Sequence, residues 1–546
     1  MPRALTDRSN LIPWLALAIL LLLCIARGVW FTHGLAVPTD ADTVRDVGFI
    51  RGILDGNAWG DPSIGGAWRW YPPLFHAVAA SVAYLTWIDP LPLWSAAGAW
   101  LNLAAPAAFF MMNRRLLGAW PAMFATGVMV LFDGAAMSGD EAAGYTPWTY
   151  TPALAWPLFF GGVALVHRLT PALRFGGAIV VGCALGIVFL AHTVPAILLS
   201  ALVGTLALSQ SGRRRRAVAW LAVVGGLELI WAAPFLGPLL LDYRLHIANP
   251  VPGAWVHPLF AEPGRMLLLS LPALLSAAWL IHVRATAPVG TIPLLVIWCT
   301  VCLIFLARHA ACAEGWVEGG ACRVFVVAPH HFHVYLHAAE ACITGWALWL
   351  GIIALAPRLR PAAAFVGVLA LAAGVAGLFL HPWDREARAG ALADPGAMMD
   401  RAVYDWIVAH TDPGDRFVTL LPPEADQMGP AAATVIAAGR QLVAPPEIHS
   451  NPYISWAPLN AKRLAYLMPG TMDRNQDPAF LLLPADMAWS GEVVFRSAAH
   501  VVYWVGDGRN PEPRVWPDIP QAQTVPPAKP GKTMTDTLTA RRARPG

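Results

Sequence analysis

Charge is scarce in this sequence: only 13% of its 546 residues are Asp, Glu, Lys or Arg. A soluble chain carries about 25%, so an ordinary water-facing fold of this length is excluded. Lysine is nearly absent and arginine carries the cationic character, a bias of composition rather than of mechanism. No internal repeat, no HExxH order and no zinc-type cysteine spacing are found. The net charge of +3 gives no basis for a nucleic-acid partner. What is present is apolar: 57% of residues are hydrophobic and the mean hydropathy is +0.53. Whole windows lack charge over about 20 residues, the length needed to cross a bilayer as a helix. Tryptophan is abundant, with 25 residues. Many (Trp14, Trp30, Trp87, Trp94, Trp120, Trp298) fall near expected helix ends, where an indole suits the headgroup level.

Apolar segments are read at 11–33, 72–88, 92–112, 118–134, 147–166, 175–191, 195–210, 217–239, 266–282, 291–307, 335–356 and 362–380. The first is too long for a signal peptide and lacks a small-residue cleavage site, so it is expected to stay as an uncleaved helix. Arginines cluster at Arg3/Arg8, Arg114/Arg115, Arg168/Arg174, Arg213–Arg216, Arg284 and Arg358/Arg360, all cytoplasmic by the positive-inside rule. Arg8 and Arg114 on one side require an odd number of crossings after the first helix, yet two apolar segments intervene. The shorter, 72–88, opens with Tyr71-Pro72-Pro73 and contains His76. It is expected to be a juxtamembrane or re-entrant helix of the outer loop.

The expected fold is thus an α-helical polytopic membrane protein. Residues 1–380 carry about eleven transmembrane helices and a first outer loop at 34–91. A small α/β extramembrane domain is expected at 381–515, where charge and turn residues separate short apolar runs such as Phe417–Leu421 and Val501–Val505. A disordered tail is expected at 516–546. Cys24, Cys183, Cys299, Cys302 and Cys342 sit in or beside apolar segments. Cys312 and Cys322 share one outer loop, where a disulfide is expected in an oxidising compartment.

The residues that could carry chemistry concentrate in the outer loops. Val44, Val47, Ile50 and Leu54 recur at helical spacing and predict an amphipathic helix along the membrane surface. Asp40 and Asp42 stand at its start. Asp40 has the position of an N-cap, but two acids followed by Trp70, Tyr71, Pro72 and Pro73 also suit a reaction centre. Asp140 and Glu141 form a second acidic point, either a solvated turn or ligands that join Asp42 around a divalent cation such as Mg or Mn. Arg323, His330 and His331 are read as phosphate-facing donors at the membrane boundary. His330, His333 and His337 have spacing that would also suit zinc, and His192 in a tight turn is read as structural.

One inner-to-outer helix, an aspartate about ten residues beyond it, a Tyr-Pro-Pro-Leu segment, a crossing ending in Arg114-Arg115 and an outer Asp140-Glu141 pair form a familiar order. It resembles the GT-C superfamily of membrane glycosyltransferases. Within that superfamily it is similar to the catalytic subunit of oligosaccharyltransferase and to polyprenyl-phosphate-sugar-dependent mannosyl- and aminoarabinosyltransferases. The motifs carrying the likeness lie in the first 170 residues or so. The resemblance implies that Asp42 is the catalytic aspartate, with Asp40 the near alternative, and that Asp140 and Glu141 are the second acidic motif. Two departures stand out. The two acids are adjacent, where the oligosaccharyltransferase separates them by one residue, and no Trp-Trp-Asp motif occurs. The expectation is an inverting transferase of the bacterial inner membrane, N-terminus cytoplasmic and C-terminal domain periplasmic. It would move a sugar from a polyprenyl-phosphate or diphosphate donor to a glycan, lipid or protein acceptor, with Trp70, Tyr71 and His76 lining the substrate cavity. Two other classes fit the composition: a transporter or flippase of lipid-linked saccharides, and a non-catalytic envelope assembly protein. Topology offers the first test. Reporter fusions after residues 60, 90 and 140 should read periplasmic and one after 116 cytoplasmic. A cytoplasmic reading at 90 would make 72–88 a crossing and overturn the loop assignment.

Overall fold

The computed structural model describes residues 11–132, 144–210, 212–249, 263–313, 316–317, 331–421, 428–447, 450–467, 480–489 and 491–505. They divide into two compact units. The first comprises Met1–His33, Ala96–Leu245 and Gly253–Ala387; the second comprises Gly34–Ser95, His246–Pro252 and Arg388–Gly546. The first outer loop therefore groups with the C-terminal region rather than with the helices that flank it in sequence.

The first unit is helical. Its described elements include α1 (Leu11–Thr32), the end of α4 (Pro90–Leu101), α5 (Ala104–Leu117), α6 (Ala119–Leu131), α7 (Thr151–Leu169), α8 (Phe175–Ala191), α9 (Thr193–Leu208) and α10 (Arg214–Leu241). They continue with α11 (Pro263–His282), α12 (Thr291–Ala313) and α13 (His331–Leu380). Among the described residues, six helical stretches are long and apolar enough to cross a membrane: Leu11–Thr32, Pro90–Leu117, Thr151–Ala172, Arg214–Leu241, Thr291–Cys312 and His331–Ala354. Helices meet a bilayer's demand because each bonds its own backbone. At Asn102–Leu103 the stretch 90–117 breaks, and Asn102 Nδ2 donates to the carbonyls of Thr146 (2.9 Å) and Trp148 (2.8 Å). The core is aromatic, with Phe159 edge-on to both Trp298 and Tyr335 at 4.8 Å. Where α6 crosses α13, a Cβ at Gly345 would lie 2.2 Å from the Ala125 nitrogen, so the two backbones touch there.

The segments 335–356 and 362–380, read in the sequence as two crossings, are helical without interruption in α13. The helix nonetheless doubles back. Trp349 stacks on Trp120 at the start of α6, while Leu378 packs with Val130 and Leu131 at its end. A straight helix would put Leu378 about 44 Å beyond Trp349, whereas α6 spans about 17 Å between Trp120 and Leu131. Pro357 and Pro361 fall in the stretch that must bend. Just beyond α13, at the start of α14 (Pro382–Ala393), Asp384 is fully buried. It accepts hydrogen bonds from Arg27 and from Trp148 Nε1 (2.7 Å). Arg27, equally buried, also donates to the Tyr145 carbonyl (2.9 Å). Five cysteines are free and Cys312 is disulfide-bonded; Cys322, its expected partner, lies outside the described residues.

The second unit carries a five-stranded sheet in the order β2-β1-β3-β5-β4, built from β1 (Arg416–Thr419), β2 (Gln441–Leu442), β3 (Phe480–Pro484), β4 (Glu492–Arg496) and β5 (His500–Trp504). β1 is parallel to β2 and β3, and the β3–β5–β4 side is antiparallel. Every side chain from Phe480 to Leu483 is fully buried, the pattern of a strand covered on both faces. Helices α15 (Arg401–His410), α16 (Pro430–Ala437) and α17 (Trp456–Tyr466) accompany the sheet. The loop 34–95 adds α2 (Ala41–Leu54) and α3 (Leu74–Thr86). At 13 residues, α3 is about 20 Å long, short of a hydrocarbon core.

α2 departs from its expected setting. Val44, Val47 and Ile50 do form one apolar face, but that face is fully buried in protein rather than laid on a membrane surface. α16 takes it up: a Cβ at Gly48 would lie only 2.3 Å from the Ile436 carbonyl oxygen. Further ties follow, from Arg440 to Asp55 (2.8 Å), from the Leu442 amide to the Ser63 carbonyl (2.8 Å) and from Asn451 to the Trp68 carbonyl (3.2 Å). Gly48→Ala should force α2 off α16. We expect a loss of about 1–3 kcal/mol, read as a lower melting temperature of the purified protein. An unchanged melting temperature would show that the contact yields without cost.

Candidate active site

Asp40 ends the approach to α2 in extended backbone and caps the helix, accepting from the Thr43 amide (2.8 Å) and the Thr43 hydroxyl (2.5 Å). The local sequence dictates this, since a short acid before Ala-Asp-Thr can satisfy amides that the first turn leaves open. Asp42 sits within that first turn, where the helix dipole favours a carboxylate. Its side chain is one-third exposed, and Oδ1 accepts from Arg45 Nη1 at 2.6 Å. Arg45 lies three residues on, the spacing that brings side chains together on a helix. Its other nitrogen, Nη2, reaches Asp46 Oδ1 at 3.2 Å. The guanidinium lies over the ring of Tyr71 at 4.4 Å and that of Trp70 at 5.5 Å. Burial works against its charge, but Asp42 and Asp46 more than offset it and raise the Arg45 pKa.

His76, fully buried, closes the network from α3. Its Nδ1 lies 3.1 Å from the Pro72 carbonyl oxygen and its Nε2 lies 3.1 Å from Asp46 Oδ1. A carbonyl only accepts, so Nδ1 carries a hydrogen. Nε2 thus stands beside the Asp46 carboxylate without a hydrogen bond of good geometry. Burial lowers the His76 pKa, and Asp46 opposes the shift. Phe49 packs among them, stacked on Tyr71 and 5.2 Å from the His76 ring, with the Arg69 guanidinium 4.5 Å from its ring centre. Burial brings Arg69 down to about 9 and raises Asp61 to about 6.

Of the residues singled out in the sequence, Asp40, Asp42, Trp70, Tyr71 and His76 thus come together in the second unit, joined through Arg45, Asp46 and Phe49. Arg45 and Asp46 were not recognised as site residues, although the Asp42-x-x-Arg45 spacing signals the first of them. His331 belongs to the first unit and opens α13, its ring 4.9 Å from His192 and 6.3 Å from Tyr150. His192 N-caps α9, the structural role expected of it. His333 and His337 are buried 4.2 Å apart, and His337 Nδ1 meets Glu340 at 2.9 Å. Asp140, Glu141, Arg323 and His330 lie outside the described residues. Among the described residues no three His, Cys, Asp or Glu side chains converge to hold a metal ion. Asp42 is the one described member of the expected cation-binding set, and the positive charge facing it is that of Arg45.

No family model matches the chain, and no curated protein matches it in sequence. Its fold does match solved structures. ArnT from Cupriavidus metallidurans has been solved in the apo state and bound to undecaprenyl phosphate. The two structures superpose with TM-scores of 0.56 and 0.54 at 15% identity, over 91% of this chain and 98% of that one. The archaeal oligosaccharyltransferase AglB from Archaeoglobus fulgidus, in complex with an inhibitory peptide and a dolichol-phosphate, matches with a TM-score of 0.50 and 11% identity. That match covers 88% of this chain and 70% of AglB. ArnT and AglB are GT-C glycosyltransferases, and the fold of this chain is the GT-C fold.

Asp40 makes the site measurable by pH. Burial, and then the charge of Asp42, push its carboxyl up to about 6, against an ordinary value of about 3.9. The folded state therefore holds this proton more tightly than the unfolded one. The associated stability is complete below about pH 4 and is lost as pH rises through about 6. Asp40→Asn keeps a capping side chain but does not titrate. Melting curves between pH 4.5 and 7.5 should show the wild type falling relative to the Asn variant as pH rises. Parallel profiles would show that Asp40 does not titrate in this range.

Proposed function

We propose that the chain is an inverting, lipid-linked sugar transferase of the bacterial inner membrane, with about eleven crossings, a cytoplasmic N-terminus and a periplasmic C-terminal domain. The observation that carries this reading is the extent of the shared fold: the match to ArnT, a protein solved with undecaprenyl phosphate bound, runs over 91% of this chain and 98% of that one. An acidic helix terminus presenting a partly exposed carboxylate, Asp42, supports it from the chain's own residues.

In the proposed step, the acceptor hydroxyl oxygen attacks the anomeric carbon of the donor sugar. The bond from that carbon to the phosphate oxygen breaks, the polyprenyl phosphate departs with its electron pair, and the hydroxyl proton passes to Asp42. One displacement inverts the anomeric centre. Arg45 fixes the direction of Asp42 and is itself held by Asp46 and the Tyr71 ring. Tyr71, Trp70 and His76 line the substrate cavity in this reading. Arg323, His330 and His331 bind the donor phosphate. A divalent cation on Asp42, Asp140 and Glu141 would add to the neutralisation of the leaving group. The acceptor is a glycan, lipid or protein of the envelope.

Purified protein supplied with defined polyprenyl-phosphate sugars should release free polyprenyl phosphate and form a new glycoside. A flippase would move the donor across vesicles without cleaving it. Asp42→Asn removes the proton acceptor at nearly constant size, and a lost general base costs about 10²–10⁴-fold in rate. Asp40→Asn is the paired control and should retain most activity, because Asn also caps. Transfer at wild-type rate by both variants would remove the catalytic assignment and favour a transporter or a scaffold.

A further inference from the structure

Helices α11, α12 and α13 leave a cavity of about 670 Å³ in the first unit, within the size range that receives a drug-sized ligand. Its wall is apolar, drawn from residues such as Leu274 on α11, Ile292 and Val296 on α12, and Ile343 and Trp346 on α13. Leu274 is 51% exposed and Val296 58%. The cavity therefore opens through the flank of a bundle in which α12 and the first half of α13 are long and apolar enough to cross a membrane and α11 is apolar over Ser270–His282, and what lies beyond such a flank is lipid.

One lining residue breaks the pattern. Arg284, just past the end of α11, is exposed, sits in left-handed backbone (φ 50°) and lines the same cavity. Among the described residues its guanidinium has no carboxylate partner, unlike Arg27, Arg45, Arg51, Arg401 and Arg440. The end of the bundle it occupies is basic. Thr291 bonds the Leu116 carbonyl (3.2 Å) beside Arg114 and Arg115, and His167 meets the Val289 carbonyl (3.1 Å) beside Arg168. By the positive-inside rule this is the leaflet on the cytoplasmic side, the one rich in anionic lipid. Glu340, the acidic lining residue, is paired with His337 and lies about 9 Å along α13 from Trp346, away from that end.

We propose that this cavity binds one anionic phospholipid, its acyl chain between α11, α12 and α13 and its phosphodiester on Arg284. The site is independent of the proposed sugar transfer and stands whether or not that reading holds. Full-length protein would be reconstituted in nanodiscs of phosphatidylethanolamine with one-fifth phosphatidylglycerol, then released and weighed by native mass spectrometry. One phosphatidylglycerol should remain per chain. Its occupancy should fall at least tenfold in Arg284→Gln, whose exposed position leaves folding intact, and in Ala277→Phe, which fills the cavity. Three outcomes would overturn the proposal: equal phosphatidylglycerol retention by wild type and Arg284→Gln, no preference over phosphatidylethanolamine, or a bound polyprenyl phosphate in its place.

Discussion

Inside a hydrocarbon layer a peptide group or a charge has no water to bond, and the first unit is organised around that constraint. Helices satisfy their own amides and carbonyls. Where one of them breaks, at Asn102–Leu103, the side-chain amide of Asn102 takes up two carbonyls from the segment that leads into α7. Charge obeys the same rule. Arg27 and Asp384 have no exposure at all and are tolerated because each meets the other and a further partner, the Tyr145 carbonyl for the cation and the Trp148 indole for the anion. Removing either member of such a pair leaves an uncompensated buried charge and costs about 3–5 kcal/mol. The clasp joins α1, the start of the 144–150 segment and α14, which are remote in sequence.

The second unit solves a different problem, that of holding a helix terminus still. α2 begins with a capped turn and presents its apolar face to α16 at backbone contact. Its one exposed acid is then fixed from behind: Arg45 bridges Asp42 and Asp46, the Tyr71 ring lies under the guanidinium, and His76 holds Asp46. Each member of this series is oriented by the next, so the direction of the Asp42 carboxylate is set by side chains as far along the sequence as His76.

The sequence made the local features legible. Uncharged windows marked the helices, the Val44-Val47-Ile50 spacing marked α2, and the runs around Phe417 and Val501 became β1 and β5. The position of Asp40 marked its capping role, and Asp40, Asp42, Tyr71 and His76 were named together because they lie in one loop. What the sequence concealed is long-range. An apolar stripe on a helix near a membrane reads the same whether lipid or protein covers it, so the burial of α2 against α16 was not foreseen. Arg45 and Asp46 looked like ordinary surface charges of an amphipathic helix, since only the partners Tyr71 and His76, brought in from α3 and the stretch before it, turn them into a network. The doubling back of α13 falls in the stretch that holds Pro357 and Pro361, where two prolines lead one to expect a kink.

The union of the first loop with the C-terminal region has a consequence for the order in which the molecule can be made. Asp55 and Arg440 are 385 positions apart, and Gly48 meets its neighbour over a similar distance. At about 5–20 residues per second, the loop leaves the ribosome tens of seconds before the partner against which α2 packs. During that interval the apolar stripe of α2 lacks the cover that α16 gives it. The cover over α2 therefore arrives last, from the final quarter of the chain, and a protein truncated or stalled before residue 436 carries the residues of the Asp42 network but lacks the surface against which their helix packs. A partly made chain thus holds a helix whose acidic network is local in sequence and whose apolar cover is still to come.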